Sequence, residues 1–197
     1  MMDTKTIPML EETLRIRKEI EAKQEELIAL RKSLPPQRVD DYTLKDWEGK
    51  EVRLSEMFGD KTDLIVVHNM GKRCSYCTLW ADGFNGLHMH LNDRASFVVV
   101  SPDAPEVQQQ FATSRGWQFR MLSGHEGNFI KEMGYIDKED GSYWPGVSTF
   151  RRLEDGTKER VGADIFGPGD PYNSLWHFFD LLDGGSKDWQ PKYKYDK

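Results

Sequence analysis

Cysteine is nearly absent from this chain, with two residues in 197. A small protein held together by several disulfides is therefore excluded, because such scaffolds need four or more cysteines. Long apolar runs are absent too. The strongest ones, Leu64–Val67 and Phe97–Val100, have only four residues each, whereas a helix that crosses a membrane needs about 20. We therefore expect no membrane partner.

Positive charge is also in short supply, since 27 Lys and Arg face 33 Asp and Glu, a net charge of −6. Phosphate surfaces are bound by clustered cations, so we expect no nucleic-acid partner. The first residues contain no apolar stretch of the kind that a secretion signal needs, and Glu11 and Glu12 follow them. These features predict a cytoplasmic protein, where thiols stay reduced.

Residues 9–34 form a charged segment without Gly or Pro, in which Leu and Ile recur at helical spacing. The pattern predicts one long helix, which Pro35 and Pro36 stop. The helix either packs on its own domain or pairs with a second copy to form a homodimer. We therefore divide the chain into a helical arm (1–36), a domain (37–185) and a polar tail (186–197).

After the proline pair, predicted strands alternate with predicted helices. Such an order predicts an α/β fold, a mixed sheet covered by helices on both faces. Gly49 and Gly156 mark two hairpins. The patterns predict strands at 64–68, 96–100, 119–122, 147–152 and 158–162, and helices at 77–91, 104–114, 128–133 and 172–182.

The two cysteines form a Cys-x-x-Cys element, Cys74-Ser75-Tyr76-Cys77, between a predicted buried strand and a predicted helix. A helix start offers free N–H groups and a positive dipole end, and both favour a thiolate. Lys72 and Arg73 add positive charge. The position predicts a lowered pKa for Cys74, attack of Cys74 on a disulfide and resolution of the mixed disulfide by Cys77.

Three other interpretations of the cysteines are open. A zinc site would need His88 and His90 as further ligands, yet these side chains point about 200° apart on one helix. A second interpretation is that the two thiols are structural, as buried cysteines often are. Peroxidase chemistry is disfavoured, because the Pro-x-x-x-Thr-x-x-Cys pattern of the peroxiredoxin nucleophile does not occur and Gly71 stands where Thr should be.

The order of elements resembles the thioredoxin fold, with a three-layer α/β/α arrangement. More closely, the chain resembles bacterial thioredoxin-like proteins of a family of unknown function that are described as predicted dithiol–disulfide oxidoreductases. The resemblance runs from about residue 10 to residue 184. The segments that carry it are Arg31–Pro35, Cys74–Gly86, His90–Arg94, Val100–Pro105, Arg115–Trp117, Pro145–Phe150 and Leu181–Asp183.

The chain departs from this resemblance in two places. Thioredoxin-fold enzymes usually carry a cis-proline that faces the dithiol before the hairpin strand. Counting back from Gly156 puts that place at Ser148, after Val147, so we predict a substrate-docking loop at these two residues. Residues 163–170 replace a stretch that is rich in Tyr and Arg in the family.

Three further residues are candidates near the dithiol. His68 lies six residues before Cys74, at a spacing where thioredoxin-like proteins often hold a buried acid, and is a possible proton carrier. The alternative is a hydrogen-bonded core histidine. Trp80 is expected mainly to pack beside Cys77. Asp103 follows a predicted strand, where we expect it to cap the next helix.

The sequence thus predicts a dithiol–disulfide oxidoreductase that acts on a disulfide-containing protein or a small thiol substrate. No cofactor and no metal is required, because the dithiol itself carries two electrons. The alternative is a dimeric binding or redox-regulated module without turnover.

Overall fold

The computed structural model describes residues 9–195. This part of the chain divides into two units between Pro36 and Gln37. The first unit contains helix α1, Met9–Ser33. Its apolar residues from Leu14 to Leu34 are 40 to 60% exposed. Arg15 pairs with Glu12 and Glu19 along the helix, which supports a solvent-exposed helix. Pairing with a second copy through this surface stays a prediction.

The second unit is built on one mixed sheet, whose strands within the described residues have the order β1-β8-β7-β4-β5-β6-β2-β3. Its strands are β1 Gln37–Val39, β2 Thr43–Lys45, β3 Glu51–Arg53, β4 Asp63–His68, β5 Ser96–Ser101, β6 Arg120–Ser123, β7 Gly146–Arg152 and β8 Lys158–Ile165. The helices are α2 Leu54–Met57, α3 Ser75–Asn85, α4 His88–Arg94, α5 Pro105–Arg115, α6 Phe129–Glu132 and α7 Leu175–Phe179.

The central strands β4, β5 and β6 are parallel, and β7 joins β4 in antiparallel register. Both faces of this centre are covered. Leu64 and Val66 pack with α2 and α6 on one face, while Val67 packs with α3 and α5 on the other. A strand that is buried on both faces has a continuous apolar run in its sequence, and β4 and β5 both have one. The three-layer α/β/α fold with an N-terminal helix is confirmed.

Helix α5 shows how the sequence sets the ends of an element. Pro105 occupies the first turn, where its missing N–H costs no hydrogen bond, and Gly116 ends the helix at φ 71°. Because α3 and α5 follow the parallel strands β4 and β5, both helices begin at the same edge of the sheet.

The structure differs from the predicted elements in several places. The single helix predicted at 77–91 is divided into α3 and α4. Gly83 and Gly86 lie near the break and explain it, because glycine has a low helix propensity. The last helix is shorter than 172–182, because the Asn173 side chain donates to the carbonyl of Leu79 and accepts from the N–H of Leu175. Strand β1 pairs with β8 and was not predicted. Among residues 9–195, no helix is both long enough and apolar enough to cross a membrane.

Candidate active site

Cys74 and Cys77 lie at the beginning of α3. Cys74 is the N-cap residue, with φ −96° and ψ 108°, and its Sγ accepts the N–H of Cys77 at 3.0 Å. Ser, Thr, Asp and Asn oxygens usually cap helices in this way. The carbonyl of Cys74 accepts the Thr78 hydroxyl at 3.0 Å. The Cys74 sulfur thus takes the place of the usual capping oxygen and accepts a hydrogen bond from a helix N–H.

The two thiols differ in burial and in acidity. Cys74 is half-buried, whereas Cys77 is 2% exposed. The Cys77 thiol donates to Cys74, and with the N–H groups of Cys77 and Tyr76 this lowers the pKa of Cys74 to about 7, against the opposing effect of burial. The same contact with Cys74, followed by burial, raises the pKa of Cys77. Cys74 is therefore the thiol that ionises first.

The acidity of Cys74 gives a direct prediction. A pKa of about 7 leaves about half of this thiol ionised at neutral pH, compared with a few per cent for a free cysteine. The rate of Cys74 alkylation by iodoacetamide should therefore rise with pH around a midpoint near 7. In Cys77→Ala the midpoint should move to higher pH, because the donating thiol is lost. Ser75→Ala is the matched control and should keep the midpoint. A wild-type midpoint above about 8 would contradict the assignment.

Lys72 and Arg73 do not set this pKa, contrary to the prediction. Both side chains are exposed, and the causes of the lowered Cys74 pKa are the Cys77 thiol and backbone N–H groups. Their cations point to solvent, where water screens them.

The loop before Cys74 is held by Asp103 instead. One Asp103 carboxylate oxygen accepts the N–H of Lys72 at 2.9 Å and the hydroxyl of Ser101 at 3.1 Å. Gly71 adopts φ +95°, and a Cβ there would lie 2.8 to 3.1 Å from the same carboxylate. The expectation that Asp103 caps α5 is wrong, since Ala104 is the N-cap. Asp103 positions the dithiol loop across the sheet edge.

His68 does not face the dithiol. Its ring stacks on Tyr135, with centroids 3.8 Å apart, and Nε2 lies 3.0 Å from the Ser148 hydroxyl. These groups lie on the face of the sheet that α2 and α6 cover, because side chains alternate along β4. Burial, and then the charge of Arg160, lower the pKa of His68 well below its usual value. A proton-carrier role for His68 is not supported, because the sheet lies between the imidazole and the thiols.

Asn69, on the α3 face of the sheet, is the polar neighbour of Cys77 instead. Its side chain donates to the Cys77 carbonyl at 3.4 Å, and the N–H of Met70 points to the Cys77 Sγ at 3.4 Å. These contacts were not predicted from sequence. The alternation of side chains along β4, with Val67 and Asn69 on one face, is the signal that could have found Asn69.

Trp80 is buried beside Cys77, as expected for packing. The two residues line a cavity of about 10 Å³ together with Pro145 and Phe166. The indole N–H of Trp80 donates to Asp170 at 3.3 Å. This places residues 163–170, which depart from the family pattern, against the dithiol helix.

The predicted docking loop at Val147 and Ser148 is wrong. Both residues lie inside β7, where they pair with Val67 and Val66, and Ser148 is fully buried. Strand β7 begins earlier than the count from Gly156 assumed, so the residue that precedes the strand is Pro145. Within residues 9–195 no peptide bond is cis.

The C-terminal segment packs on α5, which sequence reasoning missed. The Tyr193 ring packs edge-on against Phe111 of α5, with centroids 6.2 Å apart, and its carbonyl accepts from Arg115 at 2.7 Å. Aromatic residues in a segment predicted as a polar tail, among them Trp189 and Tyr195, were the available signal that it packs on the domain.

Metal-binding side chains do not converge in the described part of the chain. Among residues 9–195, no three His, Cys, Asp or Glu side chains come together so as to hold a metal ion. His88 and His90, the other ligands considered for zinc, lie on α4 rather than on the dithiol helix.

The fold and the two cysteines at a helix start define a thioredoxin-fold protein with a Cys-x-x-Cys element. The family model that describes a bacterial protein of unknown function, DUF899, matches residues 9–196. The chain belongs to this family. No curated protein matches it.

Solved structures of peroxiredoxins are similar to this chain. Peroxidoxin BcpB from Mycobacterium tuberculosis is 25% identical, with a TM-score of 0.54, and covers 66% of this chain and 84% of its own. Reduced Prx3 from Vibrio vulnificus, solved in complex with H₂O₂, is 14% identical, with a TM-score of 0.55. The match covers 70% of this chain and 90% of Prx3. A peroxiredoxin-like protein from Aquifex aeolicus is 16% identical, with a TM-score of 0.53, 66% of this chain and 74% of its own covered. These neighbours share the thioredoxin fold with this chain.

Proposed function

We propose that this protein is a dithiol–disulfide oxidoreductase in which Cys74 is the nucleophile and Cys77 the resolving thiol. The observation that carries the proposal is the N-cap geometry, in which both the N–H and the thiol of Cys77 point to the Sγ of Cys74. A thiolate is the nucleophile in thiol–disulfide exchange, and this contact stabilises it.

The reaction proceeds in two exchanges. The Cys74 thiolate attacks one sulfur of the substrate disulfide, a mixed disulfide forms, and the other half leaves as a thiolate that takes up a proton. Cys74 then no longer accepts a hydrogen bond as an anion, so the main cause of the raised Cys77 pKa is removed. The Cys77 thiol loses its proton and attacks Cys74, and the second half of the substrate leaves. The protein dithiol is oxidised by two electrons, and a thiol reductant of the cell regenerates it.

The neighbouring side chains orient the resolving thiol. Asn69 and the N–H of Met70 hold Cys77 from the strand side. Trp80 and Pro145 fill the space around it and leave a cavity of about 10 Å³, which has room for one water molecule at most. The buried sulfur therefore has Cys74 as its nearest reaction partner.

Thiol peroxidase activity is the second candidate, favoured by the likeness to peroxidoxin BcpB. In that reaction the Cys74 thiolate would attack the peroxide O–O bond and form a sulfenic acid, while an alcohol or water leaves. Cys77 would then displace water from the sulfenic acid and form the same disulfide. The end state of the protein is shared, so the two candidates differ in the oxidant.

Oxidation of the prereduced protein separates the candidates. Equal concentrations of hydroxyethyl disulfide or H₂O₂ are mixed with it, and the Cys74–Cys77 disulfide is followed by quenched alkylation and mass spectrometry. We expect the disulfide to react at least about tenfold faster. A preference of that size for H₂O₂ assigns peroxidase activity instead. If neither reagent oxidises the protein, both proposed activities are wrong, and a binding or redox-regulated module is the explanation left.

A further inference from the structure

The apolar residues of α1 include a set with the spacing of a coiled coil. Ile16, Ile20, Leu27, Leu30 and Leu34 follow one another at intervals of four, seven, three and four residues. These intervals are those of the a and d positions of a heptad repeat, which form one narrow seam along a helix. A helix that packs on a globular core usually has a wider apolar face. The spacing therefore favours pairing with another helix.

The seam is exposed in the single chain. Its five side chains are 41 to 60% exposed, on a helix of 25 residues. Exposed ion pairs along a helix, such as those of Arg15, contribute little stability. In proteins, most of the stability of a helix comes from packing of its apolar face. A surface that covers the seam would therefore stabilise α1.

The two edges of the seam carry opposite charges. Glu12, Glu19 and Glu26 occupy g positions on one edge, while Arg17 and Arg31 occupy e positions on the other. In a parallel pair of helices, each g position lies beside the next e position of the partner helix. If the partner is a second copy of α1, Glu12 of each copy faces Arg17 of the other, and Glu26 faces Arg31. Each of these ion pairs then forms twice.

The same charges disfavour an antiparallel pair. In that arrangement g positions face g positions and e positions face e positions. The edge that carries Glu12, Glu19 and Glu26 would then face a second edge of glutamates, and like charges at such positions are destabilising. The charge pattern therefore selects the parallel orientation.

Lys23 is a polar residue at a d position of the seam, between Ile20 and Leu27. Its amine lies 2.9 Å from the Glu26 carboxylate, and its long side chain can hold the charge at the edge of the seam. A polar residue at a core position lowers the stability of a coiled coil and restricts its register. We therefore expect the two copies to pair in register, with Lys23 of one beside Lys23 of the other.

We propose that α1 pairs with α1 of a second copy of this chain as a parallel, two-stranded coiled coil. A second copy is the partner because the acidic and the basic edge that complement each other lie on the same helix. Two strands suit the seam, since a larger bundle would bury more of its charged edges, which is costly. The inference is independent of the proposed dithiol chemistry, because its tests measure mass and affinity rather than turnover.

Two charges introduced into the seam test the pairing. The molar mass of the full chain is measured by sedimentation equilibrium at micromolar concentration under reducing conditions, with circular dichroism as the check on folding. We expect a dimer for the wild type and half that mass for Ile20→Glu/Leu27→Glu. The matched control is Leu14→Glu/Ile28→Glu, which changes two α1 residues that lie outside the seam and are 40 and 48% exposed. This control should remain a dimer.

A charge reversal tests the parallel orientation. In Arg17→Glu/Arg31→Glu the attraction across both edges becomes repulsion, so the Kd of the dimer should rise at least about tenfold at low salt and less at high salt. Addition of Glu12→Lys/Glu26→Lys to the same chain reverses the other edge as well and should restore the affinity. In an antiparallel pair like charges would face each other in all three proteins, and their Kd values would be similar.

The remaining outcomes overturn the proposal. A monomeric wild type would show that the seam does not bind a second copy. A dimer that survives Ile20→Glu/Leu27→Glu would be formed by another surface, and loss of the dimer in the Leu14→Glu/Ile28→Glu control would show that the heptad seam is not its determinant. A mass above that of a dimer would reject two strands, and an unchanged Kd after charge reversal would reject the parallel orientation.

Discussion

Replacement of Cys74 by serine is expected to abolish disulfide turnover, with a loss of about 10³-fold or more in kcat/KM. A serine hydroxyl is not ionised at neutral pH, so the N-cap position no longer carries a nucleophile. The overall fold should be kept, because Ser is a preferred N-cap residue and can accept the same N–H. The measurement is reduction of hydroxyethyl disulfide coupled to a thiol reductant, with circular dichroism as the check on folding.

Cys77→Ser is the matched variant for the same prediction. It retains the attacking thiolate and lacks the resolving thiol, so the mixed disulfide between Cys74 and the substrate should accumulate and be visible by mass spectrometry. Cys74→Ser should accumulate none. Equal turnover by wild type and Cys74→Ser would end the assignment of Cys74, and trapping through Cys77 would reverse the two roles.

Gly146→Ala should be the most destabilising small substitution near the site, with a loss of about 3 kcal/mol in the free energy of unfolding. A Cβ at this position would lie 2.3 Å from the carbonyl oxygen of Asp164 and 2.5 Å from the Tyr135 ring. A backbone carbonyl in a strand cannot move without breaking its ladder, so β7 and β8 would have to separate. The measurement is the midpoint of urea unfolding.

The control for this substitution is Gly167→Ala, which lies in the loop after β8. A Cβ at Gly167 would meet no atom within 4 Å, so this variant should unfold within about 0.5 kcal/mol of wild type. A Gly146→Ala protein as stable as Gly167→Ala would show that the β7–β8 pair can open at no cost.

Much of the fold could be predicted from local signals. Continuous apolar runs marked β4 and β5, and the helix predicted at 104–114 matches α5 closely. The dithiol was placed at a helix start because a strand and a helical pattern flank it. Each of these signals depends on residues that are neighbours in sequence, and local propensity is sufficient there.

The surroundings of the dithiol could not be predicted in the same way. Alternation along β4 puts His68 and Asn69 on opposite faces, but the strand is apolar on both sides, so only tertiary packing shows that α3 covers the Asn69 face. Val147 and Ser148 were misplaced because the length of β7 depends on pairing with β4 and β8 rather than on its own residues. Tyr193 is far from Phe111 along the chain, and only tertiary packing brings the two rings together.

Because the two thiols differ in burial, only one thiol of the reduced protein is accessible to a bulky reagent. A bulky maleimide dye should couple to Cys74 alone, because Cys77 is enclosed by Trp80, Pro145 and Phe166. The dye would then sit at the N-terminus of α3. Without any engineered cysteine, the native sequence thus provides a single attachment point for a spectroscopic probe.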